Sequence, residues 1–249
     1  LNTVSEKTML VKTKGIVLHH IKYSDSRLIA QIYTELHGRQ SFLIRNPHGK
    51  KTSLTTGLLQ PLFMIEMEAY HKTSREIQHL KELKPLIIFQ SIPYDIRKSA
   101  VALFLGEILY RTLREEEPNP PLFEFLQNSI HYFDLIREKF LWFHLIFLVH
   151  YTRFLGFFPN NNYSRTRTYF DLREGSFTES PPAHPHHLQP DESRLLNDLL
   201  LSSLHKPFDP GRNGHFRKYM LEQLLTYYRL HIEGMGEIRS AQIMQELFH

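Results

Sequence analysis

A chain of 249 residues, 41% of them hydrophobic, carries enough apolar material for one large domain or two to three small ones. It holds no cysteine, which excludes disulfides, thiolate zinc sites and thiol nucleophiles together. The net charge of +4 is unevenly placed: residues 1–85 hold 13 Lys and Arg against 7 Asp and Glu, the rest 17 against 19, so the front of the chain is the part suited to a polyanionic partner.

Residues 1–8 lack the apolar run of a secretion signal and read as an extension ahead of Met9, the expected natural start. Three apolar, β-branched runs follow, over residues 15–21, 28–33 and 40–44. They are separated by turn signals at Tyr23-Ser24-Asp25-Ser26 and at His37-Gly38, the pattern of an antiparallel meander. In the second run Leu28, Ala30 and Ile32 alternate with Ile29, Gln31 and Tyr33, and apolar residues on both faces predict curvature or closure. The third run leads into the turn-prone segment Arg45-Asn46-Pro47-His48-Gly49-Lys50-Lys51. A fourth strand is predicted over residues 62–71, with Phe63, Ile65, Met67 and Ala69 on one face and Met64, Glu66, Glu68 and Tyr70 on the other. A fifth, more polar one covers residues 76–83. Five short strands of this kind favour an OB-type or other Greek-key barrel over residues 9–85, an SH3-like barrel being the nearest alternative.

From residue 94 the periodicity becomes helical, and residues 86–249 are expected to form an all-α domain; the fold class is α+β multidomain. Ile96, Ala100, Leu103, Phe104, Ile108 and Leu113 mark a first helix, whose end at Glu115-Glu116-Glu117 opposes the macrodipole and is expected to fray. Pro120-Pro121 opens a second, carrying Leu122, Phe125, Leu126, Ile130 and Phe133 on its apolar side. A third, over residues 138–154, is apolar on most faces and predicts a central helix; its apolar stretch is too short to cross a bilayer, so no membrane is expected. An irregular insertion at about 157–190 holds a short hairpin turning at Arg173-Glu174-Gly175 and a Pro- and His-rich loop. Helices over 191–204, capped by Asp191, over 215–232 and over 240–247 complete the prediction.

Motifs for phosphate-loop, serine-elbow and zinc-peptidase chemistry are absent. His184, His186 and His187, with Asp191 nearby, are the nearest thing to a metal site. Pro182, Pro185 and Pro190 hold that segment extended, so neither a metal nor any other cofactor is expected. Glu66 and Glu68 read as outward solubilising residues, and His19-His20 places two rings on opposite faces of a strand; no catalytic residue emerges, and the chain is read as a non-enzyme. The front domain instead carries Lys12, Lys14, Lys22, Arg27, Arg39, Arg45, Lys50 and Lys51 for a phosphate backbone, interleaved with Tyr23, Tyr33 and Phe42 as platforms for stacked bases. Two readings compete with nucleic-acid binding: an adaptor whose barrel binds protein, and a metal-dependent hydrolase built on the His-rich loop.

The segment KGIVLHHIKYSDSRLIAQIYTELHGRQSFLIRN, residues 14–46, resembles the N-terminal signature of the RecO recombination mediator family. FHLIFLVHYTRFLGFFP, residues 143–159, is similar to that family's central helix. Tyr169-Phe170-Asp171 with Glu174-Gly175-Ser176-Phe177 resembles its following hairpin, and LLTYYRLHIEGMGEIRS, residues 224–240, its closing helix. The resemblance implies an N-terminal OB-fold and a C-terminal helical domain acting in recombinational gap repair, in the bacterial cytoplasm and at the nucleoid. It further implies binding to single- and double-stranded DNA, annealing of complementary strands, and loading of a RecA-type recombinase together with a RecR-type protein onto strands coated by single-strand-binding protein. The acidic, hydrophobic C-terminal tail of that coating protein is the further implied partner, with Lys139 and Arg153 as its candidate contacts. Some members carry a four-cysteine zinc module after the helix-terminal Pro; residues 160–167 stand there instead, so no structural zinc is expected.

Overall fold

The computed structural model describes residues 8–45 and 57–248. Five strands, β1 (Met9–Ser24), β2 (Arg27–Thr34), β3 (Gly38–Arg45), β4 (Met64–His71) and β5 (Ile77–Pro85), close into a barrel of order β1-β2-β3-β5-β4. Every contact in it is antiparallel except β3 with β5, where Ser41, Phe42 and Leu43 pair with Ile77, Gln78 and His79 in parallel. Closure is possible because β1 serves two neighbours. Its first half, Met9 to Ile16, pairs with β4 and its second half, from Gly15 on, with β2. At that crossover a Cβ on Gly15 would lie 2.5 Å from Ile32 Cγ2, so the strand can coil over the core only without a side chain there.

The predicted period of two is realised. Leu28, Ala30 and Ile32 of β2, Phe42 and Ile44 of β3, and Ile65, Met67 and Ala69 of β4 fill the barrel interior with Val17 and Leu59. Each such side chain contributes about 1.5–3 kcal/mol by leaving water.

Helix α1 (Ile96–Thr112) begins at Asp95, whose carboxylate accepts from the Arg97 N–H at 2.9 Å. It lies on the outside of β1, and Gly106 permits the approach: a Cβ there would stand 2.7 Å from Pro61 Cβ and 3.4 Å from the Leu18 carbonyl. The acidic triplet does not lengthen and fray this helix. The chain leaves the helix at Leu113 and docks by its backbone on the β2–β3 turn, the Arg39 N–H donating to the Glu115 carbonyl at 2.9 Å. The change from strand to helix therefore falls inside the first of two compact units, residues 1–130 and 131–249. Helix α2 (Pro120–Leu135), entered through an Asn119 side chain that accepts from the Leu122 N–H, runs across that division.

In the second unit the predicted helix over 138–154 is shorter. Lys139, with φ of 57°, breaks it into a 3-10 turn (Phe140–Trp142) and helix α3 (Phe143–Tyr151), which is buried on nearly every side. A small sheet of order β7-β6-β8 follows, from β6 (Tyr169–Asp171), β7 (Ser176–Thr178) and β8 (His187–Leu188). The third strand lies in the segment expected to be loop, because Leu188 is apolar enough to pair with Phe170 and be buried with it. Helix α4 (Pro190–Leu201) is capped at Gln189, with Pro190 at its first position. Asp191 is thus not the cap but a first-turn acid that suits the macrodipole. Helices α5 (Gly214–His231), capped by Asn213, and α6 (Arg239–Leu247) end the chain's regular structure. Among the described residues no helix is long and apolar enough to cross a membrane.

Candidate nucleic-acid interface

On the outer face of the β2–β3 hairpin the register sets Arg27 opposite Arg45, Ile29 opposite Leu43, Gln31 opposite Ser41 and Tyr33 opposite Arg39. The two ends of this row have different environments. At the Tyr33–Arg39 end the face is roofed. The Tyr33 ring stacks on Phe123 with centroids 6.2 Å apart, and burial, followed by the negative charge of Glu115, pushes its hydroxyl up to about 12. Arg39 lies over the Tyr110 ring at 4.7 Å. Its Nη1 donates to the carbonyls of Tyr110 at 2.9 Å and Leu113 at 2.7 Å, and its Nε to Gln31 Oε1 at 3.3 Å.

Three sequence-derived contacts are corrected by this. Arg39 satisfies the end of α1, and Tyr33 is covered by α2. Phe42, at 3% exposure, points into the barrel core. None presents a free guanidinium or ring face to a nucleic acid. His19 and His20 do part to separate environments, His19 beside Tyr110 at 4.9 Å and His20 hydrogen-bonded through Nδ1 to the Leu59 carbonyl at 2.9 Å.

The other end is open. Arg27 and Arg45 are exposed and directly opposite, and neither forms an ion pair with any described residue. Like charges in that position repel, so the pair lowers stability until an anion lies across it. Tyr23, 61% exposed, is the next-to-last residue of β1, in the register irregularity between Lys22 and Ser24, and Ser24 pairs with Arg27. Lys22 shares this end but is bound to Asp25 at 2.8 Å, a contact that holds the Asp25 carboxyl below its ordinary value. Both partners are exposed, so an incoming phosphate could replace the carboxylate at little cost. Lys50 and Lys51 lie outside the described residues.

The face made by β1, β4 and β5 is, by contrast, balanced. Glu66 takes both Lys84 at 2.9 Å and Lys12 at 3.7 Å, Glu68 takes Lys81 at 2.8 Å, and Lys14 of β1 is taken at 3.2 Å by Glu35 of the β2–β3 turn. The Lys84 hydrogen bond to Glu66 and the Lys81 hydrogen bond to Glu68 lower both carboxyls. Lys12 and Lys14 therefore sit among acids, and the barrel exterior is not uniformly cationic as its composition suggests.

In the second unit the His-rich segment forms structural contacts. His184 Nε2 is 3.3 Å from Asp171 Oδ2, and His187 Nδ1 is bonded to the His184 carbonyl at 2.8 Å. Among the described residues no group of three or more His, Cys, Asp or Glu is placed to hold a metal ion. Lys139 is loosely paired with Asp209 at 3.8 Å, while Arg153 lies over the Phe158 ring at 4.5 Å. Arg217 was missed from the sequence. It is only 7% exposed, and a signal was present, since it precedes Met220, Leu221 and Leu224 at the spacing of one helix face.

A closed barrel of this strand order followed by a helical unit defines an OB-fold protein with an appended helical unit. The family model described as recombination protein O N terminal matches residues 9–89, and that described as recombination protein O C terminal matches residues 93–237. The chain belongs to the RecO family. It is 43% identical over 241 residues to the DNA repair protein RecO of Bacteroides fragilis, covering 96% of this chain and 100% of that one. The proteins of the same name from Phocaeicola vulgatus and Flavobacterium psychrophilum are 39% and 32% identical with the same coverage. Among solved structures an Entamoeba histolytica asparaginyl-tRNA synthetase aligns over 51% of this chain and 34% of that chain, with a TM-score of 0.27 at 12% identity, and carries no weight.

Proposed function

We propose that this RecO-family protein, whose role is in DNA repair, acts by holding DNA strands at the Arg27–Arg45 end of its barrel. The observation that carries the reading is the pair of exposed arginines set directly opposite one another, neither in an ion pair with any described residue. Such a pair is unfavourable in the free protein and becomes favourable across a phosphodiester chain. Tyr23 adds a ring face for an unstacked base. Two strands held on cations repel each other less, so annealing needs no covalent chemistry and no cofactor. In keeping with the family, the protein cooperates with a RecR-type partner to load a RecA-type recombinase onto coated strands. Its helical unit takes the acidic, hydrophobic tail of the single-strand-binding protein, Arg153 beside Phe158 being one cationic and apolar contact available for it.

The test is the salt dependence of binding to a labelled oligonucleotide, read by anisotropy. Replacing Arg27 and Arg45 by Gln should remove two phosphate contacts and lower the slope of log K against log salt by about 1.4 for single strands. Lys12→Gln with Lys14→Gln should leave it unchanged. Equal slopes for all three proteins would remove the arginine pair from the interface, and binding indifferent to salt would favour the protein-binding adaptor.

A further inference from the structure

In the second unit, α6 covers a pocket whose chemistry its own sequence completes. The lining residues include His144, Arg217, Lys218, Leu221, Met244 and Phe248, and the lining contains no acid. Arg217, at 7% exposure, forms no ion pair with any described residue. A buried guanidinium without an anion is costly unless something polar meets it. Here that is Phe248: Arg217 Nη2 donates to the Phe248 carbonyl at 3.1 Å and the guanidinium stands 5.6 Å from the Phe248 ring, with the Trp142 ring also at 5.6 Å. The seat thus accepts an aromatic ring together with an oxygen acceptor, and a neutral carbonyl occupies a position that a carboxylate would fill more strongly.

The element that fills it is short. α6 has nine residues and no side-chain cap at Ile238, and Ile243 on its outer side is 50% exposed. A helix that short does not persist alone in water, so α6 is formed only while Ala241, Met244 and Phe248 stay docked.

We infer that α6 is an intramolecular latch, Phe248 keeping shut an arginine-lined socket that takes an acidic peptide bearing an aromatic side chain. This rests on the reading that the helical unit binds such a peptide, and adds to it a location and a regulation. While the latch is present, the apparent affinity for the peptide is the intrinsic affinity multiplied by the fraction of molecules in which the socket is open. With Lys218 at its rim and no acid in its lining, the socket selects against a neutral peptide.

The experiment uses a fluorescein-labelled Asp-Glu-Asp-Phe peptide, its Asn-Gln-Asn-Phe counterpart, and the full chain. Phe248→Ala should bind the acidic peptide about tenfold more tightly than the parent, corresponding to an open fraction of about one tenth. Met244→Asn, which weakens the docking of α6 without altering Phe248 or setting an anion beside Arg217, should do the same, and Arg217→Gln in either background should abolish the gain. Thermal melting checks that the second unit stays folded in each variant. In the unaltered protein, saturating peptide should raise amide exchange across residues 239–247, a readout that needs no substitution. If the peptide binds all variants equally and exchange in α6 does not change, the latch is wrong while the peptide-binding reading stands. If Arg153→Gln then abolishes that binding, the site is beside Phe158. If the acidic peptide binds no better than the neutral one to any variant, both fall together.

Discussion

The Arg39 guanidinium donates to the Leu113 carbonyl at 2.7 Å and thereby ties β3 to the end of a helix 74 positions further along the chain. The same nitrogen reaches the Tyr110 carbonyl, so one cation satisfies two of the carbonyls that the C-terminus of α1 leaves without helical partners. Hydrogen bonds to a charged group contribute about 1.5–3 kcal/mol. Arg39→Ala should therefore lower the stability of the first unit by about 2 kcal/mol, read from urea unfolding. Arg39→Lys should recover only part of it, since an ammonium cannot span both carbonyls and Gln31 in one plane. Oligonucleotide affinity, measured where both variants are folded, should stay at the parent value. A tenfold loss in a folded Arg39→Ala protein would return this residue to the interface.

Gly38, next to it, is fixed by geometry rather than charge. Its φ is +62°, and a Cβ would fall 2.5 Å from the Glu117 carbonyl oxygen and 2.6 Å from that of Glu115. The left-handed backbone alone costs a non-glycine residue about 1–3 kcal/mol. The overlap with backbone atoms adds to this, because they cannot rotate away as a side chain can. Gly38→Ala should give less folded protein and a urea midpoint well below that of Arg39→Ala. An unchanged midpoint would show that the 115–117 segment can leave the turn freely.

How far the sequence carried depends on which interactions are local. The alternation of Ile65, Met67 and Ala69 against Glu66 and Glu68 is a short-range pattern, and the barrel realises it. Arg39 and Tyr33 were read as contacts for DNA, and nothing within β2 or β3 says that α1 and α2 will cover that end of the face. Phe42 was misread because a ring in a short strand belongs to either face until its register with Ala30 is known. The opposition of Arg27 and Arg45 likewise exists only through that register. Arg217 is the reverse case, visible as a cation on an apolar helix face and passed over because cations there ordinarily reach the surface.

Tyr23 and Phe42 should consequently part company when each is truncated. Tyr23 is exposed and no stability is expected to be lost with its ring, but base stacking is worth about 1–3 kcal/mol per base. Tyr23→Ala should weaken single-strand binding by about 5- to 160-fold and leave duplex binding nearly untouched, since paired bases offer no free face. Phe42→Ala should cost about 3–5 kcal/mol of folding free energy and show no strand selectivity once the folded fraction is corrected for. Loss of single- and double-strand affinity in equal measure by Tyr23→Ala would assign the tyrosine to backbone positioning instead.

His144 gives the second unit a pH dependence whose sign can be derived. The side chain is 2% exposed on α3, and burial, with the nearby Arg217 charge, lowers its imidazole to about 3. Above about pH 6.5 it is neutral in both the folded and the unfolded chain and contributes no slope. As the pH falls below that value the unfolded chain takes up the proton and the folded one does not, so stability declines with acid at up to about 1.4 kcal/mol per pH unit until the folded group also titrates. His150, lowered by its own burial and then by Arg153, adds a smaller decline of the same sign. His144→Met fills much of the same space without titrating. Urea midpoints for the second unit at pH 7.5 and pH 4.5 should therefore lie closer together in His144→Met than in the parent, with the remaining difference carried by His150 and other groups. If the two proteins lose stability equally between those pH values, His144 takes its proton in the folded state, which requires the helices around it to open before the unit unfolds.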